Sequence, residues 1–202
     1  GRGVVMRLAS AGVLPIGLSA VLLTHLHSDH ITDLNDVITT QWVMSTEPTP
    51  LPVYGPAGTA AVVDAILAML GRDMAYRHAH HDNLQYPPGV VVHEVEPGDH
   101  IELGATTVSV HRTDHRPVEP TVGYRIEHDG SVAALAGDSL PCDELDAMCA
   151  GADIYVQTVI REDLVALVPS ARLQDICDYH STVEQASQTA TRTGVRTLVL
   201  TH

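Results

Sequence analysis

Thr24-His25-Leu26-His27-Ser28-Asp29-His30 closes an apolar run, AVLLT over residues 20–24, that reads as a buried strand. Four potential metal ligands therefore fall within six residues, immediately behind that strand. In an extended segment, side chains two residues apart point the same way, so His25 and His27 address one metal. Asp29 and His30 lie beyond the bend and reach a second. Neutral imidazole and carboxylate both suit zinc. A solvated polar loop would have no use for four such groups at this spacing.

Three later residues occupy similar positions, each just past a predicted strand. His115 lies in TDHRPVEPTVGYRI after strand 106–110, Asp138 in LAGDSLP after strand 131–135, and His202 in LVLTH after strand 195–200. Ligands gathered at strand ends are how a sheet assembles a site from distant sequence. Further strands are predicted over 51–54, 90–95, 123–127 and 153–159, and helices over 33–44, 57–70, 143–149 and 182–192. His128-Asp129-Gly130 between two alternating runs marks a hairpin. Antiparallel pairs mixed with α/β connections place the chain in the α+β (mixed α/β) class. No repeat or linker interrupts it, so residues 1–202 read as one domain. The chain opens in what reads as the middle of a unit (GRGVVMRL) and stops on His202 behind a strand. Further sequence is expected on both sides: N-terminal strands and a C-terminal segment.

Composition narrows the classes. With 45% hydrophobic residues, no Phe and 3% aromatics, the expected core is one of Val, Leu, Ile and Ala. No apolar run is long enough to span a membrane and the sequence shows no charged-then-apolar leader, so a cytoplasmic protein without membrane partners is expected. Cys142, Cys149 and Cys177 form no CxxC pair and read as reduced, packed thiols. The formal charge is −14 and every cationic residue other than His is Arg. Such a surface repels phosphate backbones rather than drawing nucleic acid in from a distance. Histidines (13) outnumber the arginines (11), which fits a metal site.

THLHSDH, a later His, Gly-Asp-Ser and a final LTH resemble the metallo-β-lactamase superfamily across nearly the whole chain. The resemblance implies a four-layer αβ/βα sandwich and two zinc ions, with manganese as an alternative. His25, His27 and His115 would hold one ion, Asp29, His30 and His202 the other, with Asp138 bridging. The third-His region lacks the Pro-Gly-His-Thr turn of glyoxalase II-like enzymes, and the bridging position is Asp rather than the Cys of β-lactamases. Tyr179-His180-Ser181-Thr182 is similar to the His-Ser-Thr motif of the ribonuclease Z family, and LPVYGPAGT (residues 51–59) is similar to the same family. Actinobacterial ribonuclease Z-like proteins fit best. Ser181 with Glu184 reads as a capping box that pins His180 just before a helix.

What the resemblance implies is endonucleolytic removal of tRNA 3′ trailers by zinc-bound hydroxide, oriented by Asp29, with His180 protonating the leaving oxygen. It also implies a homodimer. Two features depart from the family. Only 22 residues separate His115 from Asp138, leaving no room for the long arm that grips tRNA, and Leu14-Pro15-Ile16-Gly17 carries no charge where a basic loop is expected. The alternative is a hydrolase of small phosphodiesters or other small esters (cyclic nucleotide, aryl sulfate or lactone) with no tRNA role. A non-catalytic binding module fits less well, because all seven ligands are present. His78, His80 and His81 read as a partly exposed loop near the site mouth, and His111 as structural.

Overall fold

The computed structural model describes every residue, Gly1–His202. The chain divides into two compact units, Gly1–Glu94 and Val95–His202.

The first unit runs α1 (Val4–Ser10), a 3-10 turn (Pro15–Gly17), β1 (Val21–Leu22), α2 (Ser28–Ile31), α3 (Leu34–Met44), β2 (Leu51–Gly55), α4 (Thr59–Met69), α5 (Gly71–His80) and β3 (Val90–Glu94). Its three strands are parallel, in the order β1-β2-β3, with Val21 opposite Val53 and Val53 opposite Val92. Parallel neighbours need crossover connections, and here helices supply them. Leu51 and Val53 point inward from alternate positions of β2 and pack with Leu23, Leu34, Val37, Ile38 and Val63.

Two expectations change here. The predicted strand over 20–24 shrinks to two residues, although the Leu23 amide still donates to the Tyr54 carbonyl at 2.8 Å. The stretch containing His78, His80 and His81 is helical up to His80 rather than a loop. Its inner face explains this. The Arg77 guanidinium lies 5.9 Å from the Trp42 ring centre, the His78 ring stands edge-on to the same indole, and Asp73 pairs with Arg77 one turn away. A buried indole makes this helix worth forming despite its polar composition.

The second unit runs β4 (His100–Leu103), β5 (Thr106–Arg112), β6 (Val122–His128), β7 (Ser131–Gly137), α6 (Asp143–Cys149), β8 (Ile154–Thr158), α7 (Glu162–Val165), α8 (Ala171–Gln174), a 3-10 turn (Asp175–Asp178), α9 (Val183–Thr193) and β9 (Thr197–Thr201). Its six strands follow chain order across the sheet, antiparallel from β4 to β7 and parallel from β7 to β9. The hairpin expected at Asp129-Gly130 is present, with both residues at positive φ (47° and 76°), as a two-residue turn of the favoured hand requires. The core is more aromatic than composition suggested: Tyr155 is fully buried among Ala134, Ala136, Leu145, Met148 and Cys149. All three cysteines are free, and burial pushes the Cys149 thiol up to about 12, so it behaves as an apolar group.

Candidate metal centre

In the first unit, β1 ends at Leu22, the chain bends at Thr24, and His27 is extended (φ −62°, ψ 148°) before α2 begins at Ser28. The start of the helix separates the candidate ligands into two pairs. His25, fully buried, and His27 lie before it, and His25 Nε2 lies 3.2 Å from His27 Nδ1. Asp29 and His30 sit on the helical turn, where the His30 amide is tied back to the His27 carbonyl at 3.0 Å. Asp29 Oδ2 lies 3.4 Å from His30 Nε2, and the His30 ring stacks obliquely on His25, with centres 4.1 Å apart. The sequence-predicted ligands of this unit are therefore all brought together.

In the second unit, four residues from four separated loops converge. His115 follows β5, Asp138 follows β7, His180 precedes α9 and His202 follows β9. Asp138 Oδ2 is their common focus: His180 Nε2 lies at 3.1 Å, His115 Nε2 at 3.7 Å and His202 Nε2 at 3.9 Å. Asp138, His180 and His202 present ligand atoms within 4.8 Å of one another, so the geometry adds His180 to the groups able to hold a cation. His115, Asp138 and His180 are buried, and His202 is exposed.

Backbone carbonyls fix which nitrogen of each ring faces inward. His115 Nδ1 lies 2.8 Å from the Tyr179 carbonyl and His180 Nδ1 lies 2.7 Å from the Ile176 carbonyl. A carbonyl can only accept, so each Nδ1 carries its proton and donates it. Nε2 of His115 is then left with a lone pair, the form a metal binds. His180 differs: its Nε2 stands at hydrogen-bond distance from a carboxylate, and donating there takes a second ring proton.

Hydroxyls and amides stitch the loops together. Ser181 Oγ donates to the Ser139 carbonyl at 2.6 Å, the Asp114 amide donates to Ser139 Oγ at 3.1 Å, and the Leu140 amide donates to the Asp114 carbonyl at 2.7 Å. Loops carrying His115, Asp138 and His180 are thereby locked in register. The expected capping box is displaced by one residue. Thr182, not Ser181, caps α9: its hydroxyl accepts from the Gln185 amide at 3.2 Å while Gln185 Oε1 accepts from the Thr182 amide at 2.9 Å. Ser181 lies one residue before the cap, and its hydroxyl donates to the Ser139 carbonyl instead. The Arg116 guanidinium hydrogen-bonds Asp114 and holds its carboxyl below the usual range, keeping a fixed anion beside His115.

Sequence reasoning assigned no role to Ser139 or Thr158. The place of Ser139 directly after Asp138 was the one available signal for the former, and Thr158 touches the cluster only through a tertiary contact.

With this geometry in view, the comparisons with known proteins become decisive. Residues 9–202 match the family model described as the beta-lactamase superfamily domain. A ribonuclease Z of Mycobacterium bovis (strain BCG / Pasteur 1173P2) is 55% identical over 204 residues, spanning 100% of this chain and 73% of the relative. The chain belongs to the ribonuclease Z family of the metallo-β-lactamase superfamily. Among solved structures, the metallo-β-lactamase fold protein YhfI of Bacillus subtilis aligns with a TM-score of 0.71 at 21% identity, covering 100% of this chain and 70% of that one. The short form of human tRNase Z aligns with a TM-score of 0.70 at 22% identity, covering 100% and 78%. At those identities the structures speak to the fold, which is the metallo-β-lactamase fold. As a ribonuclease Z family member the protein is a metal-dependent hydrolase of the endoribonuclease class, and its His and Asp clusters suit a divalent metal. No helix is long and apolar enough to cross a membrane.

Proposed function

We propose that the protein is a dinuclear zinc phosphodiesterase that removes 3′ trailers from tRNA precursors, as the family it belongs to suggests. His25, His27 and His115 would hold one zinc, Asp29, His30 and His202 the other, with Asp138 shared. The donor set fits zinc: two ligands of a tetrahedral ion at about 2.0–2.1 Å stand roughly 3.3 Å apart, against 3.2 Å between His25 Nε2 and His27 Nδ1. Manganese would suit the same oxygen and nitrogen donors less specifically. When bound, the two metals lower the pKa of a water and neutralise charge on the phosphoryl group.

The observation that carries the phosphodiesterase reading is His180. Its Nδ1 is anchored on a backbone carbonyl, its Nε2 points at the metal-ligand cluster, and a buried stitch through Ser181 holds it there. A ring so placed can give its Nε2 proton to a departing ribose oxygen, which an alkoxide leaving group requires. Asp29, in the reading the family suggests, would orient the attacking water.

A second reading, hydrolysis of small phosphodiesters without tRNA, is favoured by one observation. The whole interval between His115 and Asp138 that forms secondary structure is the β6–β7 hairpin, so no arm projects there. The test is a precursor tRNA with a 3′ trailer, assayed beside bis(p-nitrophenyl) phosphate on metal-analysed protein. Cleavage of both, lost in Asp29→Ala, supports trailer removal. Cleavage of the small diester alone leaves the phosphodiesterase and removes the tRNA role.

A further inference from the structure

Asp138 has two carboxylate oxygens with different surroundings. Oδ2 faces the three imidazoles of His115, His180 and His202. Oδ1 accepts from the Thr158 hydroxyl on β8 at 2.6 Å. The same hydroxyl lies 2.8 Å from the Gly137 carbonyl. One hydroxyl carries one proton, so only one of these acceptors receives it. Distance and charge both select the carboxylate, since O–H···O⁻ bonds run to 2.5–2.7 Å and are roughly twice as strong as neutral ones.

The structure also shows why Gly137 can do without Thr158. Its carbonyl lies 3.2 Å from Gln157 Nε2, which also donates to the Thr158 carbonyl at 2.8 Å. Gln157 is itself held by the Tyr155 hydroxyl, which donates to Gln157 Oε1. Tyr155 and Gln157 are fully buried, and Thr158 and Asp138 nearly so. The chain Tyr155–Gln157–Gly137 thus satisfies the strand-end carbonyl and leaves the Thr158 proton for Asp138. Backbone geometry supports the same arrangement. At the end of β7 the register with β8 shifts between Leu135 and Gly137, and Gly137 takes φ +67°, which any larger residue would resist. That turn delivers Asp138 to the tip of β8, where Thr158 stands.

We infer that Thr158 is a positioning residue for the metal centre: its hydroxyl holds Oδ1 of Asp138 and so fixes the carboxylate with Oδ2 turned toward His115, His180 and His202. The inference rests on the reading above, in which Asp138 is a metal ligand. A partner that fixes the free oxygen of a ligating carboxylate removes its rotation from the unbound state. Loss of such outer partners typically costs 10–100-fold in metal affinity.

The experiment measures zinc affinity by competition with a chromophoric chelator, using the full chain as wild type, Thr158→Val and Thr158→Ser. Valine keeps the shape and deletes the hydroxyl, and serine keeps the hydroxyl and deletes the methyl. Thermal unfolding of each metal-stripped protein reports packing alone. The expected result is a 10–100-fold weaker zinc affinity in Thr158→Val and wild-type affinity in Thr158→Ser, the serine variant giving this even if valine disturbs folding. Wild-type affinity in Thr158→Val overturns the inference, and so does equal weakening in both variants, which would make the effect one of packing. A wild-type protein that binds no zinc would overturn the metal reading itself, and with it this inference.

Discussion

The two halves of the proposed ligand set are built in opposite ways. In the first unit, His25, His27, Asp29 and His30 come from six consecutive residues, and one change from extended to helical backbone at Ser28 sorts them into two pairs. In the second, His115, Asp138, His180 and His202 come from four loops spread over 88 positions (115 to 202), the first three held by hydrogen bonds among Asp114, Ser139, Leu140 and Ser181. The first arrangement is local and needs only a strand end. The second exists only when a six-stranded sheet has formed in register. Mutations in the first should therefore remove chemistry while sparing the fold, whereas mutations in the second should disturb both.

The largest effect should follow from the local half. His25→Ala removes a proposed metal ligand outright, and because a metal supplies several kcal/mol of transition-state stabilisation, phosphodiesterase turnover should fall by about 10⁴-fold. Metal analysis should show at least one ion lost per chain. Unfolding of the metal-stripped variant should change far less than its activity. If turnover survives, the contiguous motif is not the seat of the chemistry.

His180→Ala tests the scattered half at its reactive end. Turnover of a diester should drop by about 10²–10⁴-fold, the usual contribution of a positioned general acid. Metal content should stay at the wild-type value, and a substrate with a good leaving group such as p-nitrophenolate should lose much less than one with an alkoxide. Metal loss in this variant would instead make His180 a ligand, a role its place beside Asp138 and His202 also permits.

The same contrast explains what could be read in advance. Spacing alone brought His25, His27, Asp29 and His30 forward as candidates, because backbone periodicity at a strand end is a local property. Asp129-Gly130 was legible for the same reason, and so was helix Asp143–Cys149. His115, Asp138 and His202 were weak signals singly and became convincing only beside the first motif. Thr158 and the Ser139–Ser181 stitch could not be read at all. Nothing within a few residues of Thr158 tells that β8 lies parallel to β7 and brings its hydroxyl to Asp138. The helix carrying His78 was missed because what stabilises it, Trp42, lies on another helix.

Ser181→Ala should sharpen the comparison by touching the stitch and no ligand. It leaves the buried Ser139 carbonyl without its 2.6 Å donor, at a cost of about 1–3 kcal/mol. Thermal unfolding should show that loss in metal-free protein, and turnover should fall with it because His180 and the Asp138 loop are joined through this bond. A stable but inactive variant, or an active but destabilised one, would separate two properties that the geometry couples.

The smallest effect decides between two readings of one helix start. Sequence pattern paired Ser181 with Glu184, whereas the structure pairs Thr182 with Gln185. Loss of an N-cap hydroxyl costs about 1 kcal/mol, so Thr182→Ala should lower stability by that amount. Glu184→Ala loses only the interaction of an exposed carboxylate with the first turn, a few tenths of a kcal/mol at moderate salt. Both can be measured by urea unfolding, with activity as a second readout. Turnover should barely respond to either, since the Ser181–Ser139 bond, not the cap, fixes His180. Were Thr182→Ala to abolish activity while Ser181→Ala did not, the cap would be what positions His180, and the second unit would share the first unit's local construction.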